Sequence, residues 1–154
     1  FEITSALLTA NARREEILKH LMQTRSIGQL KLWGRALSRL RVDADRRLVW
    51  TLLSQGDFLA SAALESDLMD VVDELLVNSP DADVIVLCYE QPDHTICVFA
   101  RVPNGKHDAS ALLKSIGGSG TPALARACLA TQDLVTAEKT VLELMRKQLA
   151  PAHA

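Results

Sequence analysis

Aromatic side chains are scarce in this chain: its 154 residues include three Phe, two Trp and one Tyr, 4% of the total. Proteins that hold single-stranded nucleic acid commonly stack bases on aromatic platforms, so the composition argues against that mode of binding. Seven Gly and five Pro are too few for a low-complexity linker. Long apolar runs are missing too. Val84-Ile-Val-Leu-Cys-Tyr89 is typical of the longest, whereas a membrane span needs roughly 20 such residues, so no membrane is expected among the partners. The three cysteines, Cys88, Cys97 and Cys128, contain no C-x-x-C pair. An odd number, two of them in apolar stretches, reads as buried free thiols in a reducing, cytoplasmic setting. His20, His94, His107 and His153 are scattered, none at ligand spacing from a Cys or an acid, so no zinc site is expected. Residue 1 is Phe, and neither a basic n-region nor an apolar h-region follows it, which reads as a piece of a longer polypeptide.

What is present fits one folded domain with a short attached segment. Apolar residues make up 48% and charged residues 23%, close to the globular average. The net charge of −2 hides a polarised layout. Residues 11–50 hold ten Lys or Arg against four acids, 51–100 hold ten Asp or Glu and no Lys or Arg, and 101–154 are again basic. Two explanations stand together here: solvated faces that attract one another within one fold, or a basic surface that draws in an anion.

Along the chain, residues 4–23 have helical spacing. Ser26-Ile-Gly-Gln29 has the form of a capping box, ahead of Leu30, Trp33, Leu37 and Leu40 on one helical stripe. Leu48–Leu53 reads as a buried strand, Ser54–Asp57 as the opening of a short helix, and Ser66 as the start of a second. Asp83–Glu90 and Thr95–Val102 read as a hairpin joined by Gln91-Pro-Asp-His94. Asp108 caps a helix that ends at Gly117-Gly118, a helix is expected to begin at Pro122, a short strand follows near Ala125–Ala130, and a last helix starts near Asp133. The expected class is α+β: a mixed β-sheet packed with helices. A helical connector occupies 1–43, the domain proper 44–150 and a tail 151–154.

Two features carry chemistry. In Gly117-Gly-Ser-Gly-Thr121, three glycines in four positions allow backbone N–H groups to converge on a phosphate or carboxylate, with the start of the next helix facing the same anion; the plain alternative is a flexible helix C-cap and loop. Arg101 ends an otherwise apolar strand, where a guanidinium grips an anion through paired hydrogen bonds or simply sits as an edge charge.

These same residues carry a family resemblance. Val98-Phe-Ala-Arg101, Asp108-Ala-Ser-Ala-Leu-Leu-Lys-Ser-Ile116 and Gly117-Gly-Ser-Gly-Thr-Pro122 resemble the C-terminal DHH-associated domain of DHH-family phosphoesterases. The family pattern is a strand ending S-x-R-S, a D-V-S-x-I-A helix and a G-G-G-G-H loop. Leu30–Leu40, Val49-Trp-Thr51, Asp67 and Val72–Leu76 are similar to the nanoRNase and phosphoadenosine-phosphate phosphatase branch, with RecJ-like exonucleases as siblings. The resemblance runs from about residue 25 to 130.

It implies a substrate-binding lobe of a hydrolase, an oligoribonuclease or nucleotide phosphatase. Its manganese sits in an N-terminal DHH lobe of the same polypeptide, and no catalytic or metal-binding residue falls in this chain. The substrate would be a nucleotide or short oligonucleotide phosphate. On the matching positions, Arg101, Gly117, Gly118, Ser119, Gly120 and Thr121 would bind it. Thr121 stands where the family has its loop His, Ser119 replaces a Gly, and Arg126 stands where a small Gly closes the motif. A nucleotide-binding module without catalysis, or a homodimerisation module built on the first helices, are the alternatives.

Overall fold

The computed structural model describes residues 27–130 and 133–149. The helix expected over 4–23, Ser26 of the capping box and the tail at 151–154 lie outside the described residues. A six-stranded mixed sheet runs in the order β1-β2-β3-β4-β6-β5. Its strands are β1 (Arg41–Asp43), β2 (Leu48–Leu53), β3 (Val84–Glu90), β4 (Ile96–Arg101), β5 (Ser119–Gly120) and β6 (Leu124–Leu129). Only β2 and β3 pair in parallel; every other neighbouring pair is antiparallel. The helices are α1 (Ile27–Ser38), α2 (Gln55–Ser61), α3 (Leu68–Val77), α4 (Ala109–Leu113) and α5 (Leu134–Gln148). The mixed sheet with packed helices agrees with the α+β class expected from the sequence.

The termini of these elements follow from local chemistry. The Ser54 hydroxyl accepts from the Asp57 amide while the Asp57 carboxylate accepts from the Ser54 amide, a reciprocal box that starts α2. The Asp108 carboxylate accepts from the Ser110 and Ala111 amides at the start of α4, and Asp133 accepts from Val135 at the start of α5. The parallel β2–β3 pair needs a long crossover, which α2 and α3 supply.

Strand alternation sorts the core into two layers. On one face Leu48, Trp50, Val84, Val86, Val98, Ala100, Ala125 and Ala127 pack with Leu112 and Leu113 of α4 and with Val141 and Met145 of α5. On the other, Val49, Leu53, Ile85, Leu87 and Tyr89 pack under Leu32, Trp33 and Ala36 of α1, Phe58 of α2, and Val71, Val72 and Leu75 of α3. Residues 27–38, placed in the connector by the sequence reading, thus share the core of the sheet. Asp57 fixes the far end of this layer. Its buried carboxylate accepts from Arg35 Nη1 at 2.9 Å and Arg39 Nη2 at 2.8 Å, and also from Arg39 Nη1. Burial alone would raise this carboxyl, but the bonds from Arg39, the Ser54 amide and Arg35 outweigh it and hold the group well below the usual carboxylate range. Arg35 and Arg39 come from the basic first third and Asp57 from the acidic middle. Part of the charge polarity in the sequence is therefore spent inside the fold.

Three local expectations are corrected. No helix begins at Pro122. Thr121 and Leu124 bond to each other, Thr121 N to Leu124 O at 2.8 Å and Leu124 N to Thr121 Oγ1 at 3.2 Å, so Pro122-Ala123 is the two-residue loop of a β5–β6 hairpin. Residues Ser119–Gly120 and Arg41–Asp43, read as loop and connector, form edge strands. The three cysteines are not all free thiols. Cys97 and Cys128 face each other across β4 and β6 and form a disulfide, leaving Cys88 as the buried free thiol. Their separation of 31 residues in sequence vanishes once the two strands pair. Among the described residues no helix is long and apolar enough to cross a membrane.

Candidate functional site

The second face of the sheet is clad by helices over β2 and β3, and its cover thins across β4, where Cys97 is buried and Phe99 half-buried, to leave Arg126 of β6 exposed. Arg101 pairs with Leu124, Phe99 with Arg126, and Cys97 with Cys128 across β4 and β6. Directly opposed residues share a face, so Phe99, Arg101, Leu124 and Arg126 all stand on this face, away from α4 and α5. Ser119 of β5 is opposite Arg126 and joins them. Arg101 and Arg126 are diagonal neighbours, a relation that puts residues about 7–8 Å apart. Arg101 and, from the glycine segment, Ser119 therefore stand on one face of the sheet.

The two arginines are held differently. The Arg126 Nε–H donates to the Tyr89 hydroxyl at 2.8 Å, its Nη2 donates to Glu65 Oε1 at 3.0 Å, and the Tyr89 hydroxyl donates to the same Glu65 oxygen at 2.7 Å. The Arg126 guanidinium carbon also lies 6.0 Å from the ring centres of both Tyr89 and Phe99, which stack on each other at 5.5 Å. Burial pushes the Tyr89 hydroxyl up to about 12, against the pull of Arg126, so it stays a neutral donor to Glu65. The bond to Tyr89 holds the Arg126 guanidinium above its ordinary value. Arg126 is thus a fixed cation on a small aromatic bed. Arg101, by contrast, has its Nε–H buried with no hydrogen-bond partner among the described residues. A buried donor without an acceptor is costly.

The glycine segment serves the hairpin first. The Gly117 amide donates to Lys114 O and the Gly118 amide to Leu113 O, while the Thr121 amide is bonded across the turn. These three N–H groups face inward. Gly118 lies so close to α4 that a Cβ would come within 2.4 Å of Leu113 Cβ. At Gly120, where φ is +150°, a Cβ would meet Leu124 O at 2.4 Å. What the segment presents to the arginine face is the Ser119 side chain opposite Arg126. The Thr121 hydroxyl is exposed but engaged with Leu124.

Tyr89, Glu65, Phe99 and Arg126 were not singled out from the sequence as ligand contacts. Glu65 and Arg126 are 61 positions apart, and nothing local marks them as partners. The register β3-β4-β6 is what assembles them. Beside this cluster lies a hollow of about 420 Å³ between α2, the turn at 63–66 and the end of β3, lined among others by Phe58, Leu64, Glu65, Tyr89 and Gln91.

Among the described residues no group of three or more His, Cys, Asp or Glu side chains is placed to hold a metal ion. The described residues therefore do not fit manganese, and what they offer a ligand is positive charge, hydrogen bonds and apolar surface.

No family model and no curated protein matches this sequence. Solved structures do share its fold. An exopolyphosphatase-related protein from Bacteroides fragilis superposes with a TM-score of 0.74 at 18% identity, covering 94% of this chain and 42% of the other. A pGpG-specific phosphodiesterase, PggH, from Vibrio cholerae gives 0.55 at 12% identity over 78% of this chain and 39% of its own. RecJ from Thermus thermophilus, solved in complex with Mn²⁺, gives 0.56 at 13% identity over 88% of this chain and 19% of its own. The chain thus spans less than half the length of each of these neighbours, and what it has in common with them is the fold of one part.

Proposed function

We propose that this chain is the substrate-binding, C-terminal lobe of a DHH-type phosphoesterase acting on nucleotide phosphates or short oligonucleotides, with the metal-bearing lobe in another part of the same polypeptide. The motif resemblance over residues 98–122 and the fold shared with parts of RecJ, a pGpG phosphodiesterase and an exopolyphosphatase-related protein support it. The observation that carries it is the pair of guanidinium groups on the second face of the sheet, one tied down by Tyr89 and Glu65 and one with a buried, unpartnered N–H.

In this reading the lobe binds and orients. Arg101 and Arg126 offset the charge of a phosphoryl group, the Ser119 hydroxyl adds a hydrogen bond at the hairpin edge, and the tight turn through Gly120 and Thr121 keeps that edge thin enough for close approach. Cleavage belongs to the metal-bearing lobe.

The test is calorimetric titration of the 154-residue chain with pyrophosphate, comparing Arg101→Ala with the parent. Charge-assisted hydrogen bonds contribute about 1.5–3 kcal/mol, so affinity should fall about ten- to hundredfold. Equal affinity for the two proteins, or no binding by the parent, would refute the assignment.

A further inference from the structure

The hollow beside Arg126 differs in kind from the arginine face. Its floor is apolar: Phe58 and Ala63 are buried beneath it, and Leu59 and Leu64 stand at its edge 73% and 70% exposed. The Phe58 ring meets the edge of the Tyr89 ring at 6.5 Å, giving the floor an aromatic wall. No Lys or Arg lines it. Its polar groups are few and lie at the rim: the Glu65 and Glu90 carboxylates, the Gln55 and Gln91 amides and the Ser66 hydroxyl. Glu90 is already committed, accepting from the Gln55 backbone amide at 2.7 Å and lying 3.1 Å from His94 Nδ1. Glu65 is committed on one side only. Its Oε1 takes the bonds from Tyr89 and Arg126; the Gln91 amide lies 3.4 Å from both oxygens, and among the described residues this long contact is the one made by Oε2. A volume of about 420 Å³ with an apolar floor and a few rim groups is that of a small-ligand site.

We infer that this hollow is a nucleobase subsite with a preference for guanine, which rests on the reading of the arginine face as a phosphate site. The chemistry is that of acceptors. Guanine presents two adjacent donors, N1–H and the exocyclic amine, which converge on Oε2, the Glu65 oxygen left for a ligand. Adenine sets an acceptor nitrogen against that carboxylate, and uracil flanks its one N–H with two carbonyl oxygens. The flat ring is buried against Phe58, Leu64 and Tyr89, where apolar area supplies the affinity. Glu65 is the hinge of the arrangement, since it fixes Arg126 with one oxygen and faces the hollow with the other. A nucleotide laid across it places its base in the hollow and its phosphate toward Arg126.

The experiment separates the two parts with ligands that hold one each. The intact 154-residue chain is titrated with guanosine, adenosine and pyrophosphate, and with guanosine again at saturating pyrophosphate. The expected result is guanosine binding about tenfold tighter than adenosine, unimpaired by pyrophosphate. Leu64→Ser, a change at an exposed position, should weaken guanosine about fivefold and leave pyrophosphate unchanged. Pyrophosphate binding without guanosine binding, or equal affinity for the two nucleosides, overturns the base subsite and leaves the phosphate face standing. Guanosine binding without pyrophosphate binding supports the hollow and refutes the phosphate face.

Discussion

Reduction of the Cys97–Cys128 disulfide tests the β4–β6 register on which the site depends. The bridge closes a loop of 31 residues that holds α4, the glycine hairpin and most of β6. In the chain-entropy account, a loop of 15 residues restricts the unfolded state by about 3 kcal/mol and one of 100 by about 4.7, so this one contributes about 3.5 kcal/mol. For a domain of this size that corresponds to a fall in Tm of about 10 °C. The measurement is thermal unfolding with and without a dithiol reductant, with the bond state checked by mass spectrometry. Thiol labelling gives a second readout. Cys128 is exposed and Cys97 buried, so the reduced native protein should label at Cys128 first. Cys88 should stay silent until unfolding, because burial, with Glu138 nearby, pushes its thiol up to about 12. An unchanged Tm after confirmed reduction, or rapid labelling of Cys88 in the native protein, would refute this account of the strand pairing.

Asp57→Asn should cost about 2–3 kcal/mol in urea unfolding, since it removes the charge from bonds to Arg35 and Arg39. Because the folded carboxyl titrates below its unfolded value, its contribution is present above about pH 4 and is lost as pH falls; the wild type should lose stability over that range and the Asn variant lose less. Gly120→Ala should destabilise by about 1–3 kcal/mol, because the added Cβ meets Leu124 O at a positive φ. A neutral result in equilibrium unfolding would mean that the hairpin is built differently.

Much of the fold was legible where one residue decides one feature. Ser54, Asp108 and Asp133 announce helix starts because a short polar side chain can satisfy the opening amides. The apolar run at 48–53 reads as a buried strand because both faces of β2 are covered, and 83–90 with 95–102 reads as the hairpin that β3 and β4 form. The failures are pairings. Arg41–Asp43 and Ser119–Gly120 carry no strand pattern of their own and are extended only because β2 and β6 lie beside them. Pro122 fits a first helical turn as well as a hairpin loop, and the bonds between Thr121 and Leu124 decide for the hairpin. Cys97 and Cys128 looked independent for the same reason. Of the site, Arg101 was visible as a charge ending an apolar strand, whereas Arg126 was noticed only as a departure from a glycine motif. Its partners Tyr89 and Glu65 come from elements that sequence distance hides.

Strands β4 and β6 divide their residues by parity. Val98, Ala100, Ala125 and Ala127 hold the domain together, and their neighbours Phe99, Arg101, Leu124 and Arg126 look outward. In the proposed function, recognition and folding are therefore written on alternate positions of the same two segments. A lineage can exchange one set, trading charge for polarity or one ligand for another, while the interleaved set keeps the scaffold intact. Variation confined to every second residue of these strands is the record such divergence would leave.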